Sequence, residues 1–350
     1  MLICFLFAAC SRDKDQGPDN TPTSANLNGL HVVNGRYLAD GTQSKVILRG
    51  VNMGSLWSDG LGINELPEIE KTGANAVRLV LQTESENSNT SPMTAAQIEP
   101  LILYCLGKKM IPVLVWYGAT GTGNSANGLN KAVDWWRSKD MKSLLLKYQR
   151  SIIVNIANEP ADETVSEERY TEASINAIRA MRRAGFGCPF MIDAPNWGHD
   201  AAFFVRKGAT LMDADPLHNL VFSVHAYWTV NGGAGSYSDV DITGFLTNLA
   251  ATGLPVVIGE VAWGLEQEGR DMTDYRNYDP INYRLILKLC GEKDLGYLVW
   301  QWGFINPAGS RNAGCMTTNG TFGGLSGPGR EFAVTLPYSI KNTAKRAALN

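Results

Sequence analysis

The sequence has no basic cluster, no cysteine pattern of the kind that holds a metal, and no long apolar run. Charged residues make up 19% of its 350 positions and the formal net charge is −3, which gives no electrostatic case for a nucleic-acid partner. The six cysteines are too few for a disulfide scaffold and lack ligand-type spacing, so no metal or other cofactor is expected. Cys105 and Cys290 sit in helix-like apolar patterns, which suits buried, inert thiols. No stretch is long and apolar enough for a membrane helix, and neither an internal repeat nor a second domain is visible.

What the N-terminus does contain is a short apolar run over residues 1–9 that ends in Phe7-Ala8-Ala9-Cys10. Small residues just before a cysteine form a lipobox, although no basic residue precedes this one. Residues 11–25 are polar, with Asp, Asn, Gly and Pro, and cannot build a core. The reading is therefore a lipoprotein signal over 1–10, a flexible tether over 11–27, and one folded domain over 28–350. Lipid on Cys10 would make this an exported lipoprotein of a bacterial cell envelope. It would meet the membrane only through that anchor and otherwise act as a monomer.

Within the folded part, His31-Val32-Val33, Asn34-Gly35 and Arg36-Tyr37-Leu38 predict a hairpin, because Asn-Gly accepts the positive φ angles of a tight turn. Eight apolar, strand-like runs follow, over 46–53, 76–81, 111–117, 152–156, 190–193, 220–227, 255–260 and 296–302. Helix-like spacing appears between them, over 98–106, 139–148, 167–184, 245–252 and 283–290. This alternation predicts an α/β fold, a (β/α)8 TIM barrel with the short N-terminal β-hairpin capping its bottom. A doubly wound sheet is the alternative.

Two of the runs end in a glutamate. Ile156-Ala157-Asn158-Glu159-Pro160 closes the fourth, and Val257-Ile258-Gly259-Glu260-Val261 closes the seventh about a hundred residues on. A carboxylate at the end of a buried strand is costly unless it meets a polar cavity. For either one alone a strand-end salt bridge is an equal account. Facing each other across a pocket, paired carboxylates are what glycosidic bond cleavage uses. Barrel enzymes carry catalytic groups at the C-terminal strand ends. There the sequence also places Arg78 in the second run, Asn158 beside Glu159, His225 and Tyr227 in the sixth run, and Trp300 in the eighth. The nine Trp and twelve Tyr supply core packing for the most part, and flat platforms for sugar rings.

With these residues in view, the chain resembles glycoside hydrolase family 5, and within it the bacterial β-mannanase branch, from about residue 28 to the C-terminus. The strings that carry the resemblance include Val46-Ile47-Leu48-Arg49-Gly50-Val51-Asn52 and Gly73-Ala74-Asn75-Ala76-Val77-Arg78-Leu79. They continue with Ala132-Val133-Asp134-Trp135-Trp136 and Asn158-Glu159-Pro160. Asp193-Ala194-Pro195-Asn196-Trp197-Gly198-His199-Asp200, Val221-Phe222-Ser223-Val224-His225-Ala226-Tyr227 and the run from Leu254 to Glu260 complete the set. The Asp193–Asp200 string is what favours mannan over cellulose.

The resemblance implies a retaining hydrolase of β-1,4-linked polysaccharide, with Glu159 as acid and then base and Glu260 as nucleophile. It implies that Asn158 binds the sugar 2-hydroxyl and that Trp300 floors the cleavage subsite. His225 would contact sugar or orient Glu159. Arg78 and Tyr227 would hold Glu260 ionised and lower its pKa. Where the mannanase branch has His-Asp at the third strand end, this chain has Tyr117-Gly118, and residues 121–130 read as the adjacent rim loop. Trp263 is a further platform candidate. The rival readings are a β-1,4-glucanase or another β-glycanase, and a non-catalytic glycan-binding lipoprotein. The second would not need Asn158, Glu159 and Glu260 together.

Overall fold

Asn34 and Gly35 both adopt left-handed backbone, with φ of 50° and 67°, and fold β1 (His31–Val33) against β2 (Tyr37–Ala39) as an antiparallel pair. The Val32 N–H donates to Asn219 Oδ1 at 2.7 Å and the Leu30 N–H to the Arg150 carbonyl at 2.7 Å. Asn219 and Arg150 both lie ahead of barrel strands, so the hairpin closes the N-terminal face of the barrel as expected. The computed structural model of the chain describes residues 19–22, 28–58, 60–83, 91–232, 235–266, 269–271, 274–306 and 312–349. Cys10 and most of the N-terminal segment lie outside the described residues. Residues 19–22 rest on the domain, where the Asn20 N–H donates to the Arg183 carbonyl at 3.1 Å.

The barrel begins with β3 (Arg49–Gly54), α1 (Leu66–Glu70), β4 (Ala76–Gln82), α2 (Ala95–Gly107) and β5 (Ile111–Tyr117). It continues through α3 (Ser125–Arg137), α4 (Lys139–Tyr148), β6 (Ile153–Asn155), α5 (Glu167–Arg183) and β7 (Phe190–Asp193). Next come α6 (Ala201–Ala214), β8 (Leu220–His225), α7 (Asp239–Ala251) and β9 (Val256–Val261), then the small ribbon of β10 (Gly264–Leu265) and β11 (Asp279–Pro280). The circuit ends with α8 (Tyr283–Glu292) and β12 (Gly296–Val299), followed by the short α9 (Gly327–Arg330) and α10 (Ile340–Thr343). Eight parallel strands close in the order β12-β3-β4-β5-β6-β7-β8-β9. The seam is made where Tyr297 pairs with Arg49 and Gly296 pairs with Val257. This is a (β/α)8 barrel, and the doubly wound alternative falls.

Three barrel helices depart from the sequence reading, the first being α1, whose five residues are too few to show helical spacing. The rim loop read over 121–130 stops at Asn124, whose side chain accepts the Asn127 N–H at 3.2 Å and caps α3. The whole of α6 was absent from that reading. Asp200 caps it, but Gly208 sits in its interior and weakens the helical signal. The glycine is there for space, since a Cβ at Gly208 would lie 2.5 Å from Leu254 Cδ1. Cys105, Cys188 and Cys290 are buried free thiols and Cys315 is half-buried. Burial pushes each of the four up to about 12.

Candidate active site

β6 and the residues just beyond it set the first carboxylate. Trp136 on α3 is buried and donates its indole N–H to the Ile156 carbonyl at 2.9 Å, fixing the strand end from behind. The Asn158 N–H then donates to the Trp116 carbonyl at 2.8 Å. At Glu159 the backbone turns left-handed, with φ of 41°, a conformation a non-glycine residue holds only under constraint. The constraint is visible. The Glu159 N–H donates to Asp193 Oδ2 at 3.1 Å, and the Glu159 carbonyl accepts the N–H groups of Gly121 and Ala161 at 2.8 Å each.

Glu260 reaches the same end of the barrel from β9, opposite His225 of β8 at an irregularity in the register. One carboxylate oxygen of Glu159, one of Glu260 and a ring nitrogen of His225 all lie within 4.8 Å of one another. A carboxyl separation near 5 Å suits double displacement, whereas inverting chemistry needs about 6.5–9.5 Å to seat a water.

Beneath the pair lies Arg78, fully buried on β4. Its Nε donates to Asn155 Oδ1 at 2.9 Å. One terminal nitrogen meets Asn52 Oδ1 at 2.9 Å and Glu260 Oε1 at 2.8 Å, and the other meets Asn158 Oδ1 at 2.6 Å and Asp193 Oδ2 at 3.5 Å. The Tyr227 hydroxyl donates to the second Glu260 oxygen at 2.6 Å. His225 faces Glu159, with Nδ1 2.5 Å from Oε1, while its Nε2 lies 3.5 Å from Asp193 Oδ2. Two cationic side chains thus face three carboxyls, and the cluster exchanges protons as a unit.

The electrostatics follow from burial and these partners. Burial would lower the His225 imidazole, but the carboxylates of Glu260, Asp193 and Glu159 overcome it and raise the ring to about 10. Burial would raise Asp193. His225 and Arg78, with the Glu159 N–H, pull it down to about 2 instead. At Glu260 burial prevails and raises the carboxyl, against His225, Arg78 and the Tyr227 hydroxyl. The expectation that Arg78 would leave Glu260 low is corrected, because burial, with the Glu159 carboxyl beside it, outweighs His225, Arg78 and the Tyr227 hydroxyl together.

The remaining sequence candidates take distinct places. Asn158 is locked by Arg78 on its oxygen and by Thr120 Oγ1, 3.0 Å from its amide nitrogen. Tyr117 is half-buried and meets Trp57 edge-on at 5.5 Å, and Trp57 meets Trp300 edge-on at 5.9 Å. These three rings form one wall. Burial, with Glu260 and Glu159 nearby, pushes the Tyr117 phenol up to about 12. Trp263 stacks at a tilt on Tyr278, 4.9 Å away beside the β10–β11 ribbon, so part of its ring is committed to packing. Sequence reasoning missed Asp193, Asn52, Asn155, Thr120 and Trp57 as site residues. The available signal was positional, since Asp193, Asn52 and Asn155 are polar residues inside apolar barrel runs.

A closed eight-stranded barrel with a close carboxylate pair at the C-terminal ends of its fourth and seventh strands is the architecture of a retaining glycosidase. Comparison with known proteins agrees. Residues 39–306 match the family model described as cellulase, glycosyl hydrolase family 5. Over 290 residues the chain is 33% identical to a mannan endo-1,4-beta-mannosidase of Streptomyces lividans, covering 82% of this chain and 69% of that protein. It is 29% identical over 319 residues to a protein of the same description from Cellvibrio japonicus, covering 91% and 68%. The crystal structure of a beta-mannanase from Streptomyces thermolilacinus with mannohexaose aligns with a TM-score of 0.76 at 29% identity, covering 91% and 97%. The chain belongs to glycosyl hydrolase family 5, and it is a glycoside hydrolase.

Proposed function

We propose that this chain is an endo-acting β-1,4-mannanase working by double displacement, with Glu159 as acid/base and Glu260 as nucleophile. One observation carries the reading: two carboxylates within 4.8 Å that are bonded differently. Glu260 takes Arg78 and the Tyr227 hydroxyl on its two oxygens, and Glu159 takes the His225 imidazole. In the first step a Glu260 oxygen attacks the anomeric carbon as the glycosidic bond breaks, and Glu159 gives its proton to the leaving oxygen. In the second, Glu159 takes a proton from water, whose oxygen displaces Glu260 and restores the original configuration. Asn158, its oxygen held by Arg78, has an amide hydrogen to offer the sugar 2-hydroxyl.

The choice of mannan rests on the mannan-cleaving relatives and on the Asp193–Asp200 string. The test is a panel of mannan, glucomannan, barley β-glucan and carboxymethyl cellulose. Mannans should be turned over at least about tenfold faster than the pure β-glucans, a ratio within reach of a site that hydrogen-bonds a hydroxyl. The opposite ranking would move the chain to the glucanase side. For the roles, Glu159→Ala should keep activity on glycosides with activated leaving groups. A folded variant inactive on those would mean that Glu159 is not the acid.

Residues 28–350 are on this reading one catalytic domain, carried on a lipid anchor at Cys10 in the cell envelope. Its support is the lipobox. A Cys10→Ser protein that still fractionates with membranes would overturn it.

A further inference from the structure

The N-terminal face of the barrel, opposite the carboxylates, gathers positive charge. The chain as a whole has a formal net charge of −3, yet this face carries Arg36, Lys109, Arg150, Lys293, Lys341 and Lys345. Arg36 sits in the turn between β1 and β2, while Lys109, Arg150 and Lys293 precede β5, β6 and β12. The C-terminal segment supplies the other two. It reaches the face where the Asn75 side-chain amide, just ahead of β4, donates to the Lys345 carbonyl at 2.9 Å. All but the half-buried Lys293 are exposed, and none of the six enters an ion pair among the described residues.

The carboxylates of this face are largely matched already. Glu70 meets Lys108 at 3.2 Å, Asp294 meets Lys45 at 2.9 Å and Glu292 meets Lys288 at 3.9 Å. Asp213 is the exception, with His218 3.8 Å away. Helix C-termini favour cations through their dipoles, which accounts for Lys109 near the end of α2. It does not account for Arg36 on the hairpin or for Lys345 beyond α10.

The same face receives the N-terminal segment. The Asn20 N–H donates to the Arg183 carbonyl at 3.1 Å, at the end of α5. Pro22 Cγ lies 3.8 Å from where a Gly187 Cβ would stand, ahead of β7. Only residues 11–18 separate Cys10 from Asp19, and fully extended they span at most about 30 Å.

We propose that the N-terminal face of the barrel docks on an anionic lipid headgroup surface, so that the mouth holding Glu159 and Glu260 points away from the membrane. Cations without partners on one face are drawn to lipid phosphate, with a strength that salt screens. The short tether delivers that face, and not the catalytic one, to the bilayer. The assignment rests on the lipid anchor at Cys10 and does not depend on which polysaccharide is cleaved.

The unlipidated full chain, Cys10→Ser, isolates the charged face. It should sediment with phosphatidylcholine vesicles containing about 30% phosphatidylglycerol at about 50 mM salt, and be released at about 300 mM. Pure phosphatidylcholine vesicles should not hold it. Adding Lys109→Gln and Arg150→Gln should weaken the anionic binding about tenfold or more. Lys131→Gln and Lys142→Gln, which remove as much charge from α3 and α4, should change it less than about threefold. No binding to the anionic vesicles, or equal losses in the two double variants, would overturn the proposal. Orientation is read from activity. Lipidated wild type on the same vesicles should keep kcat/KM on a soluble polysaccharide within about twofold of the Cys10→Ser protein, and a fall of about tenfold would place the mouth against the bilayer and overturn the proposal. A mature protein whose Cys10 carries no lipid by mass spectrometry refutes the anchor reading, and the orientation falls with it.

Discussion

Replacing Asp193 by Asn removes one charge from the centre of the cluster and changes almost nothing in volume. Its carboxylate accepts the Glu159 N–H and the Asn155 amide at 3.1 Å each, and stands 3.5 Å from both Arg78 and His225. An amide in its place offers one oxygen where two are used and turns an NH2 toward a buried donor. A buried donor left unsatisfied costs roughly 1–3 kcal/mol. The lost charge adds about 2 kcal/mol, the worth of holding this carboxyl near 2 instead of the ordinary 3.8. The total, about 3–5 kcal/mol, agrees with what breaking one partner out of a buried ion pair costs in general. Because the folded value is depressed, this stability is fully present above the unfolded value and is lost as pH falls through about 2. Urea unfolding of wild type and Asp193→Asn should thus differ by about 3–5 kcal/mol at pH 7. The gap should narrow by roughly 1 kcal/mol at pH 3. A gap below about 1 kcal/mol at pH 7, or one that widens on acidification, would refute the reasoning.

Tyr227→Phe removes the hydroxyl that donates to Glu260 Oε2; a hydrogen bond to a charged acceptor is worth about 1.5–3 kcal/mol, so steady-state kinetics should show kcat/KM reduced about 10- to 100-fold. Arg182→Met, far from the carboxylates, breaks the paired contacts to Asp215 at 2.8 Å each. Denaturant unfolding should show a loss of about 3–5 kcal/mol, with kcat unchanged wherever the variant is folded.

The parts of the fold legible in the sequence are those fixed by short-range signals. The runs over 111–117 and 190–193 coincide with β5 and β7, where Lys108-Lys109 and Gly118 bracket the first and Pro189 and Pro195 the second. Asn34-Gly35 fixes the hairpin through the φ angles it permits. The runs read over 220–227 and 296–302 overshoot β8 and β12, which end at His225 and Val299. Past those points the chain keeps its apolar character but changes partners. Trp302, for instance, gives its N–H to the Asn52 carbonyl from outside the strand. In the site, Glu159, Glu260, His225 and Tyr227 were readable because each stands at or just past the end of an apolar run, and Arg78 because it is a charge inside one. Asp193 also ends a strand, but its importance comes from Arg78 on β4 and His225 on β8, partners that no local pattern reveals. Trp57 ends a single 3-10 turn after β3 and Thr120 sits on a loop, and they gain meaning only from Tyr117, Trp300 and Asn158.

That distribution bears on substrate choice. The resemblance leads one to expect an imidazole and a carboxylate at the end of the third strand, and this chain has Tyr117-Gly118. Its phenol, pushed up to about 12, stays protonated across any working pH and offers a neutral donor. Gly118 offers no side-chain acceptor at all. A pyranose hydroxyl can be discriminated strongly only where buried polar groups lose a partner when it points the wrong way. With no imidazole and carboxylate on the third strand, Asn158, clamped between Arg78 and Thr120, is a fixed polar group near the carboxylates that still has a hydrogen to offer. An amide held on both sides cannot swing to follow a hydroxyl that moves from axial to equatorial. If the chain reads that hydroxyl through Asn158, selectivity depends on Thr120 and Arg78 keeping the amide still, and Thr120→Val should narrow the mannan-to-glucan rate ratio; an unchanged ratio would refute this.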